Sequence, residues 1–316
     1  MDFSPDKKII EEAADRIAPF IHHTPVYTSE IVNKIIGGEL FFKCENFQKA
    51  GAFKSRGATN ALFSLNEDVL QHGVCTHSSG NHAAALSRAA GIRNVKAFIV
   101  MPDNSSKVKI NAVKHYGGII HFCSPTLASR ESTLKELVDQ TGAHEIHPYD
   151  DYRIIAGQAT AAKELIEEVN TLNYIMTPVG GGGLLSGTAL AATYFAPETH
   201  VIGAEPKGAD DAYRSFNSGK FVPSKNPQTI ADGLLTSLGQ RTFPIILEHV
   251  HAIFTVSEER IKEAMRLIWE RMKIIIEPSS AVPFAAVMEN LQYFQNKRTG
   301  IILSGGNVDV TNLPWK

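Results

Sequence analysis

Thr177-Pro178-Val179-Gly180-Gly181-Gly182-Gly183-Leu184-Leu185-Ser186-Gly187 decides how this chain is read. The run leading into it, from Tyr174, is apolar and strand-like, and Leu184 to Phe195 reads as a helix. Between them, four glycines let the backbone approach an anion closely. Their N–H groups and the positive end of the following helix can be aimed at it, so a phosphate fits. A turn without a ligand would not need four residues that lose so much chain entropy on folding. The rival is a dinucleotide fold, because Glu205 follows at the end of the next strand, where a ribose-binding acid would stand. The fingerprint G-x-G-x-x-G is absent, however. Counted from Gly180 its third glycine is Leu185, and counted from Gly181 it is Ser186.

Outward from this turn, strands and helices alternate. Strands are predicted at 40–44, 74–76, 97–101, 119–122, 174–179, 200–204, 252–256 and 300–303. Helices are predicted at 54–65, 81–90, 106–116, 126–140, 155–169, 184–195, 258–272 and 280–291. Such alternation implies crossover units and parallel sheets, hence an α/β fold. Ser4-Pro5 reads as a cap and first-turn proline for one more helix, with Ile9, Ile10, Ala13, Ala14 and Ile17 on a single face. The stretch 221–228, with two prolines, reads as an exposed loop.

Composition removes several function classes. The 316 residues can bury a real core, and 43% hydrophobic with 20% charged is ordinary for a globular protein. A net charge of −2 suggests no nucleic-acid or membrane-surface partner. Met1 to Lys8 lacks the apolar centre of a signal peptide, and no run approaches a membrane span of about 20 residues. Cys44, Cys75 and Cys123 are odd in number and lie in apolar runs, so they read as buried free thiols and place the chain in a reducing cytoplasm.

Three further segments stand where a strand gives way to a turn. Cys44 to Ala58 contains Phe53-Lys54-Ser55-Arg56-Gly57, with Lys54 opening a helix among small and aromatic residues. Burial and the helix dipole both disfavour its ammonium form, and a neutral amine is what a Schiff base requires. Taken alone, Lys54 reads as a solvated lysine. His77-Ser78-Ser79-Gly80-Asn81-His82 groups hydroxyls, an amide and helix-start N–H groups, which suit a carboxylate; a simple helix cap is the alternative. Ile302-Leu303-Ser304-Gly305-Gly306-Asn307 places a hydroxyl after a late strand, where a plain turn is the default.

The four segments, in this order, resemble the fold-type II pyridoxal-phosphate enzymes of the serine racemase and serine/threonine dehydratase group. The resemblance runs from His23-Thr24-Pro25-Val26 to Asn307-Val308-Asp309, and includes Ala156-Gly157-Gln158, Ala231-Asp232-Gly233 and Ile276-Glu277-Pro278. It implies a tryptophan-synthase-β-like fold with two doubly wound sheet domains. Residues 1–66 and 152–316 would form the large cofactor-binding domain and 67–151 a small mobile one.

The resemblance also assigns roles. Lys54 would carry pyridoxal 5'-phosphate and remove the α-proton. Phe53 would lie against the ring, Asn81 would meet its 3' oxygen, and Gly233 would cover the other face. Gly180, Gly181, Gly182, Gly183 and Leu184 would hold the phosphate. Ser304 would meet the pyridine nitrogen without forcing it to stay protonated. Ser78, Ser79, Asn81, His82 and Arg130 would bind the substrate, a small hydroxy amino acid. Ser79 discriminates within the group: racemisation needs an acid–base residue on each face of the α-carbon, and racemase-like members have serine there where dehydratases have alanine.

Glu205, Asp211 and the Ala209 carbonyl resemble the group's site for Mg²⁺, Ca²⁺ or Mn²⁺, whose hard oxygen ligands suit those ions. A homodimer is implied as well. Three departures stand out. Ala83-Ala84 follow His82, where glutamine is common at the second position, and Tyr149 replaces an asparagine of mammalian members. Asn307 and Asp309 match the mammalian nucleotide-binding surface whereas Ala50 does not, which leaves ATP open as an effector. The chain also leaves no room after residue 316 for the regulatory domain of biosynthetic threonine dehydratases. The expected activity is racemisation of serine with dehydration of L-serine and L-threonine. The alternative is a threonine or L-threo-3-hydroxyaspartate dehydratase.

Overall fold

The computed structural model describes residues 3–78 and 80–315. Its strands are β1 Val26–Tyr27, β2 Glu39–Cys44, β3 Val74–His77, β4 Ala97–Pro102, β5 Ile119–Cys123, β6 His144–Glu145, β7 Tyr174–Pro178, β8 His200–Pro206, β9 Ala252–Val256 and β10 Arg298–Leu303. They form two sheets, with orders β1-β2-β10-β7-β8-β9 and β5-β4-β3-β6. Every pairing is parallel except the edge pair β1–β2.

The strand order reverses at β7, which lies between β10 and β8, and at β3, which lies between β4 and β6. Open α/β sheets bind ligands beyond the carboxyl ends of strands at such points. The glycine turn follows β7, Ser304 follows β10 and Ser78 follows β3.

Helices cover both faces of the larger sheet because its strands are apolar on both. Along β10, Ile301 and Leu303 pack with helices Glu258–Met272 and Pro278–Glu289. Ile302 points the other way, toward helices Tyr152–Glu168 and Gly183–Phe195. Each such side chain, fully buried, contributes about 1.5–3 kcal/mol.

Several boundaries shift from the sequence expectation for local reasons. Ser106 and Thr126 are N-caps rather than helical residues, each accepting from a backbone N–H three positions on. The first helix is Lys7–Ile17 and is capped by Asp6, not Ser4. The late helix begins at Pro278, a favoured first-turn position, and ends at Glu289. The three cysteines are free and buried. Among the described residues no helix is long and apolar enough to cross a membrane.

Candidate active site

Lys54 opens helix Lys54–Phe63 directly after a turn tied to β10. Phe53 N–H donates to the Ser304 carbonyl at 3.0 Å, and Ala52 bridges Gly305. The Lys54 side chain is partly exposed, but its amine sits deep among protein atoms, and burial alone lowers it to about 8. Burial suffices for this shift without a contribution from the helix dipole. Nζ donates to the Pro148 carbonyl at 2.7 Å and lies 5.1 Å from the Phe53 ring centre.

The four glycines are buried, and Gly182 has φ +86°, a conformation that favours glycine. A Cβ on Gly181 would lie 2.3 Å from the Tyr149 ring, and one on Gly180 would lie 3.1 Å from the Gly233 carbonyl. Only bare backbone fits this cradle. The first-turn amides of helix Gly183–Phe195 have no carbonyl partner within their own helix. Free N–H groups at a positive helix end form a seat for a phosphate dianion. A buried amine of lowered pKa and this seat fit pyridoxal 5'-phosphate.

Ser304 is buried, with its Oγ 3.0 Å from Ser280 Oγ. Ser280 donates to the Gly305 carbonyl at 2.6 Å. Asn81 is oriented from both sides: its Nδ2 donates to Glu277 Oε1 at 2.8 Å, and its Oδ1 accepts from Asn307 Nδ2 at 3.0 Å. That arrangement leaves one N–H of the Asn81 amide for another acceptor. Burial, with Asp232 adding to it, raises Glu277 to about 7. Lys109 reaches from helix Lys107–His115 to pair with Asp232, and its stem covers Gly80.

The substrate set is gathered unevenly. Ser78 follows β3, and its Oγ accepts from Gly80 N–H at 3.3 Å. His82 is buried, with Nε2 3.3 Å from the Ile146 carbonyl and no partner on Nδ1. A carbonyl only accepts, so Nε2 carries the proton and Nδ1 is a bare acceptor. Burial, and then Lys54, hold this ring neutral. The His82 side chain is therefore not placed to donate to a carboxylate, whereas its backbone N–H at the helix start is. The side chain of Arg130 bonds its own helix cap, the Thr126 carbonyl, at 3.4 Å. Ser79 lies outside the described residues.

Sequence reasoning missed a set of polar neighbours. Arg56 is wholly buried and grips two carboxylates: Glu45 at 2.7 and 2.8 Å, and Glu164 at 2.6 and 2.7 Å. Lys43 joins Glu164 at 2.7 Å and the Thr24 carbonyl at 2.6 Å. Burial pushes Glu164 up, but Arg56 and Lys43 outweigh it and hold the carboxyl below its ordinary range. Buried charges in a chain signal partners of this kind, but no local spacing names them.

At the proposed cation ligands, Glu205 is buried and accepts from the N–H groups of Ala212 and Tyr213 at 3.2 and 2.8 Å. Asp211 is buried with both carboxylate oxygens unpartnered; Ser224 and the Leu238 amide lie close without forming a hydrogen bond of normal geometry. Burial raises both acids, and Asp211 pushes Glu205 higher still. A hard cation would neutralise the pair, so these residues fit one. Ala209 is buried in the same turn.

An enclosed lysine of lowered pKa, joined to an anion seat through Pro148, which takes its amine, and Tyr149, which packs on Gly181, defines an enzyme that works through a bound phosphorylated aldehyde. Comparison with known proteins places it further: residues 17–305 match the family described as pyridoxal-phosphate dependent enzyme, and this chain belongs to it. It is 53% identical to a serine racemase of Dictyostelium discoideum over 97% of this chain and 96% of that protein. It is 50% identical to a beta-hydroxyaspartate dehydratase of Paracoccus denitrificans, with 96% of each covered. The solved structure of maize serine racemase matches with a TM-score of 0.96 at 44% identity, covering 98% of this chain and 95% of that one.

Proposed function

We propose that this protein is a serine racemase with L-serine and L-threonine ammonia-lyase activity, yielding D-serine, or pyruvate or 2-oxobutanoate with ammonia. The observation that carries the proposal is Lys54, an enclosed amine lowered to about 8, within one chain that also has serine at position 79. The bound cofactor supplies the electron withdrawal that acidifies the α-carbon proton.

Lys54 removes that proton on one face, where its neutral form is ready near physiological pH. Ser79 returns a proton on the opposite face, which inverts the centre. When the β-hydroxyl leaves instead, dehydration follows. N–H groups at the start of helix Asn81–Ile92, with Ser78, hold the substrate carboxylate. Arg130 approaches when residues 67–151 close as a small domain on 1–66 and 152–316, excluding water. Gly180 to Leu184 seat the phosphate. Phe53 and Gly233 would cover the ring, Asn81 would meet its 3' oxygen and Ser304 its nitrogen. Glu205, Asp211 and the Ala209 carbonyl hold Mg²⁺, Ca²⁺ or Mn²⁺. The protein works as a cytoplasmic homodimer.

The likeness to the Paracoccus enzyme supports a second reading, dehydration of L-threo-3-hydroxyaspartate or threonine without racemisation. Incubation with L-serine, following D-serine and pyruvate together, tests the proposal. Keto acid with no D-serine would favour the second reading, and neither product would sink both.

A further inference from the structure

The glycine turn is held from outside its own helix. Thr242 is wholly buried, and its hydroxyl donates to the Gly181 carbonyl at 2.8 Å. The same oxygen accepts from Gly239 N–H at 2.8 Å, which leaves its single proton for a carbonyl. The Gly239 carbonyl, at 3.3 Å, is the poorer acceptor. Peptide planarity then matters: with the Gly181 C=O turned to Thr242, the N–H of Gly182 points the opposite way.

The position of Thr242 depends on Asp150. Helix Thr242–His249 has no cap from its own N-cap residue, Arg241. The Asp150 carboxylate serves instead, accepting from Arg241 N–H at 2.7 Å, Gln240 N–H at 3.1 Å and Thr242 N–H at 3.3 Å. A Cβ on Gly239 would lie 2.2 Å from Asp150 Oδ1, so the turn is moulded onto this carboxylate. Asp150 also follows Tyr149, whose ring covers Gly181, and Pro148, whose carbonyl receives the Lys54 amine.

We propose that Asp150 and Thr242 are positioning residues for the cofactor's phosphate: Asp150 sets the Gly239–Thr242 turn, and Thr242 rotates the Gly181–Gly182 peptide so that its N–H faces the anion. This rests on the reading that the glycine turn holds the phosphate. Neither residue touches the ring or the reacting carbon; both act through the turn.

The test uses the full chain stripped of cofactor, titrated with pyridoxal 5'-phosphate and with pyridoxal, following visible absorbance. Thr242→Val and Asp150→Ala are expected to weaken the phosphorylated form about tenfold, the worth of one good hydrogen bond, and to leave pyridoxal unchanged. Thr242→Ser restores the affinity. Thermal unfolding of the stripped variants separates plain destabilisation, which lowers Tm and weakens both compounds alike. Should Thr242→Val fail to fold, Asp150→Ala carries the same comparison, with Asp150→Asn, which keeps the acceptor at Oδ1, expected to retain the affinity. A selective loss of the phosphorylated form supports the proposal, and an unchanged ratio of the two affinities overturns it. A wild type that binds both compounds equally overturns the phosphate reading of the turn itself.

Discussion

Lys54 Nζ donates to the Pro148 carbonyl at 2.7 Å, joining positions 94 residues apart. The contact holds the amine inside the cleft, where burial lowers it from 10.5 to about 8. Between those two values the unfolded chain binds more protons than the folded one. Stability of the cofactor-free protein therefore rises with pH through that window and is lowest below it. Urea unfolding of the stripped protein should show this gain, and Lys54→Met should lack it. Equal pH profiles would mean the amine is solvated.

Replacing the lysine also tests chemistry. Lys54→Ala should lose the visible absorbance of bound cofactor and all measurable turnover. A variant with normal activity would remove Lys54 from the mechanism.

Ser79→Ala separates the two reactions. Racemisation of serine should fall at least about a hundredfold, as when an acid–base group is lost, while pyruvate release from L-serine largely persists. Parallel loss of both rates would contradict the two-face assignment.

The buried network around Arg56 predicts a large stability effect. Arg56→Met strands Glu45 and Glu164 without their main partner, and should cost about 3–5 kcal/mol in denaturant unfolding. A loss below about 1 kcal/mol, typical of an exposed pair, would show that water reaches these carboxylates.

Glu205 and Asp211 predict a dependence on cation and pH. Burial raises Asp211 from 3.8 to about 6, and Glu205 is raised as well, so the folded chain holds extra protons in that window. With the cation chelated, stability should fall as pH rises through it, and Mg²⁺ should restore it. Asp211→Asn should show neither the fall nor the rescue. A wild-type Tm indifferent to chelator would exclude a bound cation there.

Much of this was legible in the sequence because it is local. The glycine turn and helix Glu258–Met272 each declare themselves within about fifteen residues, whereas Lys54 takes its role only from the order of all four segments. What was not legible is long-range. Glu277 reaches Asn81 from 196 positions away, and Ser280 reaches Ser304 from 24. Asp150 caps a helix 92 positions on. Helices Glu30–Ile36 and Thr242–His249 were missed because seven or eight residues give too few turns for periodicity to register. Tyr149 was noticed as a departure, but nothing in its neighbours in sequence shows that its ring occupies the face of Gly181.

The partner of β2 has a consequence for biosynthesis. The strand that leads to Lys54 pairs through its backbone with β1 and with β10, and the Glu39–Arg298 ion pair spans 259 positions. While the chain is still emerging from the ribosome, one edge of β2 stays open until the last strand arrives. Cofactor loading must then await β10, and nascent chains truncated before it should be chaperone clients rather than partial holoenzymes.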